Sequence, residues 1–261
     1  MAALCAAVSF SAPAATDPFP GVARSYLVRV DGATVWEHVA GERVPPASLT
    51  KLMTALLVDE AGRPADVVTI GPRAAAETGS RLGVKTGDTF LVKDLMAASM
   101  IASANDACRA LAEWRDGTEA AFVQRMNRTA EALGLRDTRF ANACGHDASG
   151  HYSSARDLAK LADAAMARPA IADLARRIDL TIATADGTRS FRLVNRNALI
   201  GRYDGAIGVK SGFTAKAGKC VIALAERSGV RVQLVMLGGR DRWWDAHAIL
   251  NHAFAYAAGA R

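Results

Sequence analysis

Apolar and polar residues alternate along RSYLVRVDGATVWEHVA, which begins at Arg24, and two β-rich halves meet there at Asp31-Gly32. An Asp-Gly pair between such runs is a strong hairpin signal, because both residues tolerate the positive φ of a tight two-residue turn. The chain is therefore predicted to open with a hairpin. From Pro46 the period changes: ASLTKLMTALLVDEAG is apolar at Leu49, Leu52, Met53, Leu56 and Leu57, with Gly62 just beyond. That spacing predicts a mostly buried helix. Residues 92–178 carry Ala, Leu and Met at helical spacing, with stops near Gly117, Gly134 and Gly150 and a pair, Ser154 and Asp157, resembling a capping box. After a small hairpin at Asp186-Gly187, the runs AIGVKSGFT, CVIALAE and VRVQLVMLGG read as three strands joined by short turns. The segment RWWDAHAILNHAFAY then places Trp243, Ile249, Leu250, Ala253 and Phe254 at the spacing of a helix packed on a sheet.

Two strands at the start and three near the end, with helices between, predict an α+β fold. Its centre is an antiparallel five-stranded sheet assembled from both chain ends and flanked by helices, with a helical subdomain inserted over about residues 66–178. No internal repeat or interdomain linker interrupts residues 16–261, which read as one unit.

The 261 residues, about half of them hydrophobic, are enough to bury a large core. The formal charge is +6, but Lys and Arg are spread among acids with no basic block and no zinc-ligand spacing, so no nucleic-acid partner and no metal are expected. The first fifteen residues, MAALCAAVSFSAPAA, form an apolar run ending in Ala12-Pro13-Ala14, the small-residue pattern read by signal peptidase. They are expected to be an export leader, with the remainder soluble outside the cytoplasm. Of the cysteines beyond the leader, Cys108, Cys144 and Cys220 form an odd set with no Cys-x-x-Cys pair, which predicts buried thiols instead of a disulfide framework.

The sequence holds a single Ser-x-x-Lys, Ser48-Leu49-Thr50-Lys51, at the start of the buried helix. Residues three apart share a helix face, so the Lys51 amine can reach the Ser48 hydroxyl. Burial, the positive end of the helix dipole and a second cation nearby would each disfavour the charged amine and turn it into a base. Ser103-Ala104-Asn105 is likewise the single Ser-x-Asn, in a turn before a helix. Its hydroxyl can relay a proton and its amide can hold a substrate peptide group. Three triplets compete as a Lys/Arg-Ser/Thr-Gly element. Arg227-Ser228-Gly229 falls at a hairpin corner, Lys85-Thr86-Gly87 in a turn, and Lys210-Ser211-Gly212 alone within a β run, where Gly212 leaves room for close backbone approach.

The order Ser-x-x-Lys, Ser-x-Asn, Lys-Ser-Gly at positions 48, 103 and 210 resembles the serine D-alanyl-D-alanine carboxypeptidases, the low-molecular-mass penicillin-binding proteins. The likeness extends through PASLTKLMTA, SANDACRALA, FVQRMN, SSARDLAKL, NRN and VKSGFTAKAGKC. It implies a β-lactamase/transpeptidase-like fold and an acyl-enzyme on Ser48, with Lys51 as base and Ser103 as proton relay. It further implies substrate contacts from Asn105, Lys210, Ser211, Gly212 and Arg240, and an oxyanion hole from the backbone N–H groups of Ser48 and Phe213. The implied substrates are peptidoglycan stem peptides, with β-lactam antibiotics as covalent inhibitors and no cofactor. Serine at Ser211, where the family usually has threonine, keeps the hydroxyl. Many relatives carry a second, β-rich domain and an amphipathic anchor; this chain stops at Arg261, so no membrane anchor is expected. Single-domain relatives include D,D-endopeptidases, which keeps crosslink cleavage as an alternative. A β-lactamase is less favoured because no Glu-x-x-Leu-Asn lies between Ser103 and Lys210, and a non-catalytic wall-binding protein because all three motifs are intact.

Overall fold

A computed structural model describes residues 17–259; the expected leader lies outside the described residues. The chain begins with strands β1 (Ala23–Val30) and β2 (Ala33–His38), then a 3-10 turn at Ala47–Thr50 that runs directly into helix α1 (Lys51–Asp59). Strand β3 (Val67–Thr69), helix α2 (Pro72–Ala75) and strand β4 (Thr89–Leu91) lead into five helices: α3 (Val92–Ile101), α4 (Asn105–Asp116), α5 (Glu119–Ala132), α6 (Ala155–Met166) and α7 (Pro169–Arg176). A hairpin of β5 (Asp179–Ala183) and β6 (Ser190–Val194) follows. Strands β7 (Ala206–Thr214), β8 (Gly218–Arg227) and β9 (Val230–Gly239) and helix α8 (Arg242–Gly259) complete the order.

The main sheet has the order β2-β1-β9-β8-β7, antiparallel throughout, as the sequence pattern predicts. Its tight corners use the expected residues. Asp31 and Gly32 sit at φ 47° and 85°, Ser228 and Gly229 at 48° and 75°, the left-handed pair that a two-residue hairpin turn requires. Both faces of the sheet are covered. Tyr26, Val28, Val221, Leu234 and Met236 pack with Ile249, Leu250 and Ala253 of α8 on one side. Leu27, Ile222, Leu224, Val235 and Leu237 join the larger core around α1 on the other. A sheet buried on two faces needs continuous apolar strands, which is why β8 and β9 read as unbroken runs. Helix α1 is buried from Lys51 through Val58. A helix so enclosed has no polar stripe to spare, and the lysine at its first turn is fully buried.

Three expectations change. The stretch 66–178 is not purely helical, since β3 and β4 pair as a small antiparallel sheet. Between α5 and α6 the chain runs without helix, because Asn142 Oδ1 accepts the backbone N–H groups of Cys144, Gly145 and His146 at 3.3, 2.7 and 3.0 Å and folds the loop back on itself. Such local side-chain bonding competes with helix. Finally, Cys108 on α4 and Cys144 in this loop are bridged as a disulfide rather than left as thiols, with Cα atoms 5.9 Å apart. Among the described residues Cys220 alone stays free, buried on β8. Linear spacing carries no information about two cysteines that only the packing of a loop on a helix brings together. The Ser154 cap forms by half: its hydroxyl accepts from Asp157 N at 3.2 Å, while the Asp157 carboxylate turns to Asp137 N and the Thr138 hydroxyl.

Candidate active site

The edge strand β7 lies against the 3-10 turn that carries Ser48, and the approach is close because Gly212 has no side chain. A Cβ there would stand 2.8 Å from Ser48 N and 3.0 Å from Ala47 Cβ. On its other side the turn meets Gly145, where a Cβ would stand 2.0 Å from the Ala47 carbonyl oxygen. The Ser48 backbone is thus pinned between two glycines. Ala47 at φ 50° and Ser103 at φ 59° are non-glycine residues in the left-handed region, a cost of order 1–3 kcal/mol each that surrounding packing must offset.

Lys51 is fully buried, and its Nζ donates to Ser48 Oγ at 3.1 Å, Asn105 Oδ1 at 2.7 Å and the Cys144 carbonyl at 2.7 Å. Burial lowers its pKa to about 7, against the opposing pull of Glu77 and Asp106. Desolvation penalises the charged form more than distant carboxylates can restore it. Lys210, on β7, donates from Nζ to Ser103 Oγ at 2.8 Å and to the Ser211 carbonyl at 3.2 Å. Its pKa is also well below the ordinary lysine range, first through burial and then through Lys51, Arg242 and Arg196. Two amines and two hydroxyls are therefore linked in pairs, Lys51 to Ser48 and Lys210 to Ser103.

These groups sit under a cleft of about 300 Å³ lined by Ser48, Ser80, Ser103, Arg196, Ser211, Gly212, Phe213, Arg242 and Trp243. Several sequence-derived residues take positions that differ from expectation. Asn105 holds Lys51 with its oxygen and donates from Nδ2 to the Thr78 carbonyl at 2.6 Å, so its amide is engaged inside the protein. Lys210 is 2% exposed and turned to Ser103, not to the cleft. Arg240 is exposed at the end of β9, outside the cleft, and its carbonyl accepts from Lys219 Nζ at 2.7 Å. Arg242 lines the cleft instead: its Nη1 donates to the Gly212 carbonyl at 2.7 Å and its guanidinium stacks 4.2 Å from the Trp243 ring. Arg240 and Arg242 stand two apart at a strand-to-helix junction, and only the geometry of that junction selects between them. Arg196, within the Asn-Arg-Asn string, also lines the cleft and was passed over by motif reading, as were Ser80 and Trp243; the Arg196 carbonyl accepts the Ser211 hydroxyl at 3.0 Å. Lys85 lies in an exposed turn closed by Lys85 N to Asp88 Oδ2 at 2.7 Å and is not among the residues lining the cleft. Among the described residues no group of three or more His, Cys, Asp or Glu side chains is arranged to hold a metal ion.

The arrangement has the parts of a serine acyl-transfer site: a hydroxyl in contact with a buried amine whose pKa near 7 lets it act as a base, a second hydroxyl fed by another amine, and cationic groups at one end of the cleft. Comparison with known proteins agrees. A family profile described as D-alanyl-D-alanine carboxypeptidase matches residues 22–241. The D-alanyl-D-alanine carboxypeptidase DacF of Bacillus subtilis (strain 168) is 35% identical over 237 residues, covering 88% of this chain and 61% of the relative. DacA of Escherichia coli (strain K12) is 35% identical over 242 residues, 85% of this chain and 58% of its own length. The chain thus spans about three fifths of those two relatives. It spans 86% of DacB2 of Mycobacterium tuberculosis (strain ATCC 25618 / H37Rv), at 32% identity and 93% coverage of this chain. Among solved structures, the Streptomyces K15 DD-transpeptidase superposes with a TM-score of 0.85 at 30% identity, covering 92% of this chain and all of that one. With a profile spanning most of its length and relatives a third identical over nearly all of it, this chain belongs to the D-alanyl-D-alanine carboxypeptidase family.

Proposed function

We propose that the protein is a serine D,D-carboxypeptidase that removes the terminal D-alanine of peptidoglycan stem peptides through an acyl-enzyme on Ser48. The observation that carries this reading is the contact of the buried Lys51 amine, with its pKa near 7, to Ser48 Oγ at 3.1 Å. Neutral Lys51 takes the Ser48 proton as the oxygen attacks the penultimate D-alanine carbonyl. The backbone N–H groups of Ser48 and Phe213 meet the developing oxyanion. Ser103, which accepts a hydrogen bond from Lys210, has its own proton free to pass to the leaving amine. The terminal carboxylate fits the end of the cleft where Ser211 and Arg242 line the wall. A β-lactam, whose strained amide mimics the scissile bond, enters the same path as a covalent inhibitor.

Action on stem peptides places the enzyme outside the cytoplasm, and one observation supports that location. The Cys108–Cys144 bridge is of a kind that persists in oxidising compartments. No helix among the described residues is long and apolar enough to cross a membrane.

Incubation with a penicillin followed by intact-mass and peptide mapping should find one adduct, on Ser48, and Ser48→Ala should abolish it without lowering the melting temperature appreciably. Free D-alanine released from a pentapeptide identifies the carboxypeptidase. Splitting of crosslinked dimers without D-alanine release would make it an endopeptidase, and rapid many-turnover penicillin hydrolysis would move it to the β-lactamases.

A further inference from the structure

A neutral lysine amine has two N–H donors and one lone pair. Lys51 faces two carbonyl-type acceptors, Asn105 Oδ1 and the Cys144 carbonyl, each at 2.7 Å, and one hydroxyl, Ser48 Oγ, at 3.1 Å. When both N–H groups are taken by the two carbonyls, the lone pair has a single direction left, toward the Ser48 proton. Aiming the base therefore depends on the spacing between two acceptors that come from different elements. Asn105 opens α4; Cys144 lies in the loop before α6.

The disulfide joins those two elements at this point. Cys108 stands one turn after Asn105 on α4, and its sulfur is bonded to the very residue whose carbonyl is the second acceptor. The Cys144 sulfur also packs 3.6 Å from the Asn105 carbonyl oxygen. We propose that the Cys108–Cys144 disulfide is a positioning element for catalysis, fixing the two acceptors of Lys51 so that its free electron pair points at Ser48, and that its reduction turns activation down. The inference rests on the acyl-transfer reading of the site.

Reduction balances with a dithiol as co-reactant. Two electrons and two protons pass to the Cys108 and Cys144 sulfurs, the S–S bond breaks, and the dithiol closes into its own disulfide. Both new thiols have an acceptor at hand, Ala143 O for Cys108 at 3.2 Å and Asn105 O for Cys144. The loop keeps other holds, including Thr54 Oγ1 to Ala143 O at 2.7 Å, Ala143 N to Glu119 Oε1 at 3.0 Å and His146 Nε2 against Glu77 Oε2 at 2.9 Å. Removing the bridge should therefore loosen the acceptor pair without unfolding the chain. A loosened loop admits water beside Lys51, and the amine regains protons. The charges that bear on it are Lys210 from β7, Asp106 from α4 and Glu77 from the segment after α2.

The test compares the parent with the Cys108→Ser/Cys144→Ser double variant. Acylation of Ser48 by a fluorescent penicillin is measured against pH, and Lys51 titration is followed separately by NMR of isotope-labelled lysine. The folded variant should acylate at least about tenfold more slowly at its plateau, since loss of orientation by about an ångström costs up to about 100-fold. Its Lys51 midpoint should move up. A rate within about twofold of the parent and an unchanged midpoint would overturn the proposal, as would a digest of the oxidised protein lacking the Cys108–Cys144 linked peptide. If the double variant does not fold, the parent is reduced in denaturant and refolded with dithiothreitol for the same two measurements, and reoxidation should restore both. A parent protein that forms no penicillin adduct sinks the carboxypeptidase reading, while the NMR midpoints still decide whether the bridge positions Lys51.

Discussion

The charge on Lys51 links catalysis to stability. Its folded pKa is near 7 against an ordinary 10.5, so between those values the unfolded chain binds the extra proton. Stability from this group is therefore fully present above about 10.5 and is lost as pH falls toward 7. Denaturant melts taken across that window should show stability rising with pH more steeply in the parent than in Lys51→Met. Acylation should rise over the lower end of the same range, as the amine loses its proton. Lys210→Ala removes the buried donor to Ser103 and should slow acylation by roughly fivefold to a hundredfold, the cost of about 1–3 kcal/mol for leaving a buried hydrogen-bond partner unmatched. Lys85→Ala, in its exposed turn, should stay within a few-fold; the second-order rate with penicillin measures both, and the reverse ranking would make Lys85-Thr86-Gly87 the working copy. The Ser48–Lys51 contact was legible because a helix face carries its own geometry in the spacing of residues. The partners of Lys51 and the choice of Arg242 over Arg240 were not, because they depend on where loops and element ends meet in space.

At the level of elements, the site is a junction between a 3-10 turn and a strand edge, and glycine sets the gap. Gly145→Ala would force a methyl into the Ala47 carbonyl from a backbone already at φ 90°. It should destabilise the protein by more than about 3 kcal/mol, read from chemical denaturation. Gly212→Ala meets backbone at 2.8 Å but holds an ordinary strand conformation. It should lower the acylation rate much more than the melting temperature, by pushing β7 off the Ser48 turn; an unchanged rate would mean that the turn can shift freely. The strands and the helices α1, α4, α6 and α8 are written in the apolar period of the chain. Loop 134–153 is not, since its shape comes from one asparagine oxygen gathering three N–H groups and from a disulfide, neither of which leaves a periodic trace.

For the whole molecule, the decisive fact is that β1 and β2 are completed by β9 from the other end of the chain. Neither core can form without the shared sheet, so circular dichroism and penicillin labelling should be lost in one coincident thermal transition. Labelling lost well before the helical signal would show that the site region opens as a separate unit. This closure was readable from the order of β runs alone, because two lone strands at one end must find partners and the only unclaimed ones lie at the other. The same topology also sets a clock. About 200 residues separate Val30 from Val230, and at synthesis rates of roughly 5–20 residues per second the first hairpin waits on the order of 10–40 s for the strand that completes it. During that interval β1 carries an open edge and an apolar face, so the order of the strands holds the newborn chain short of its native sheet until β9, in the last eighth of the sequence, has been made.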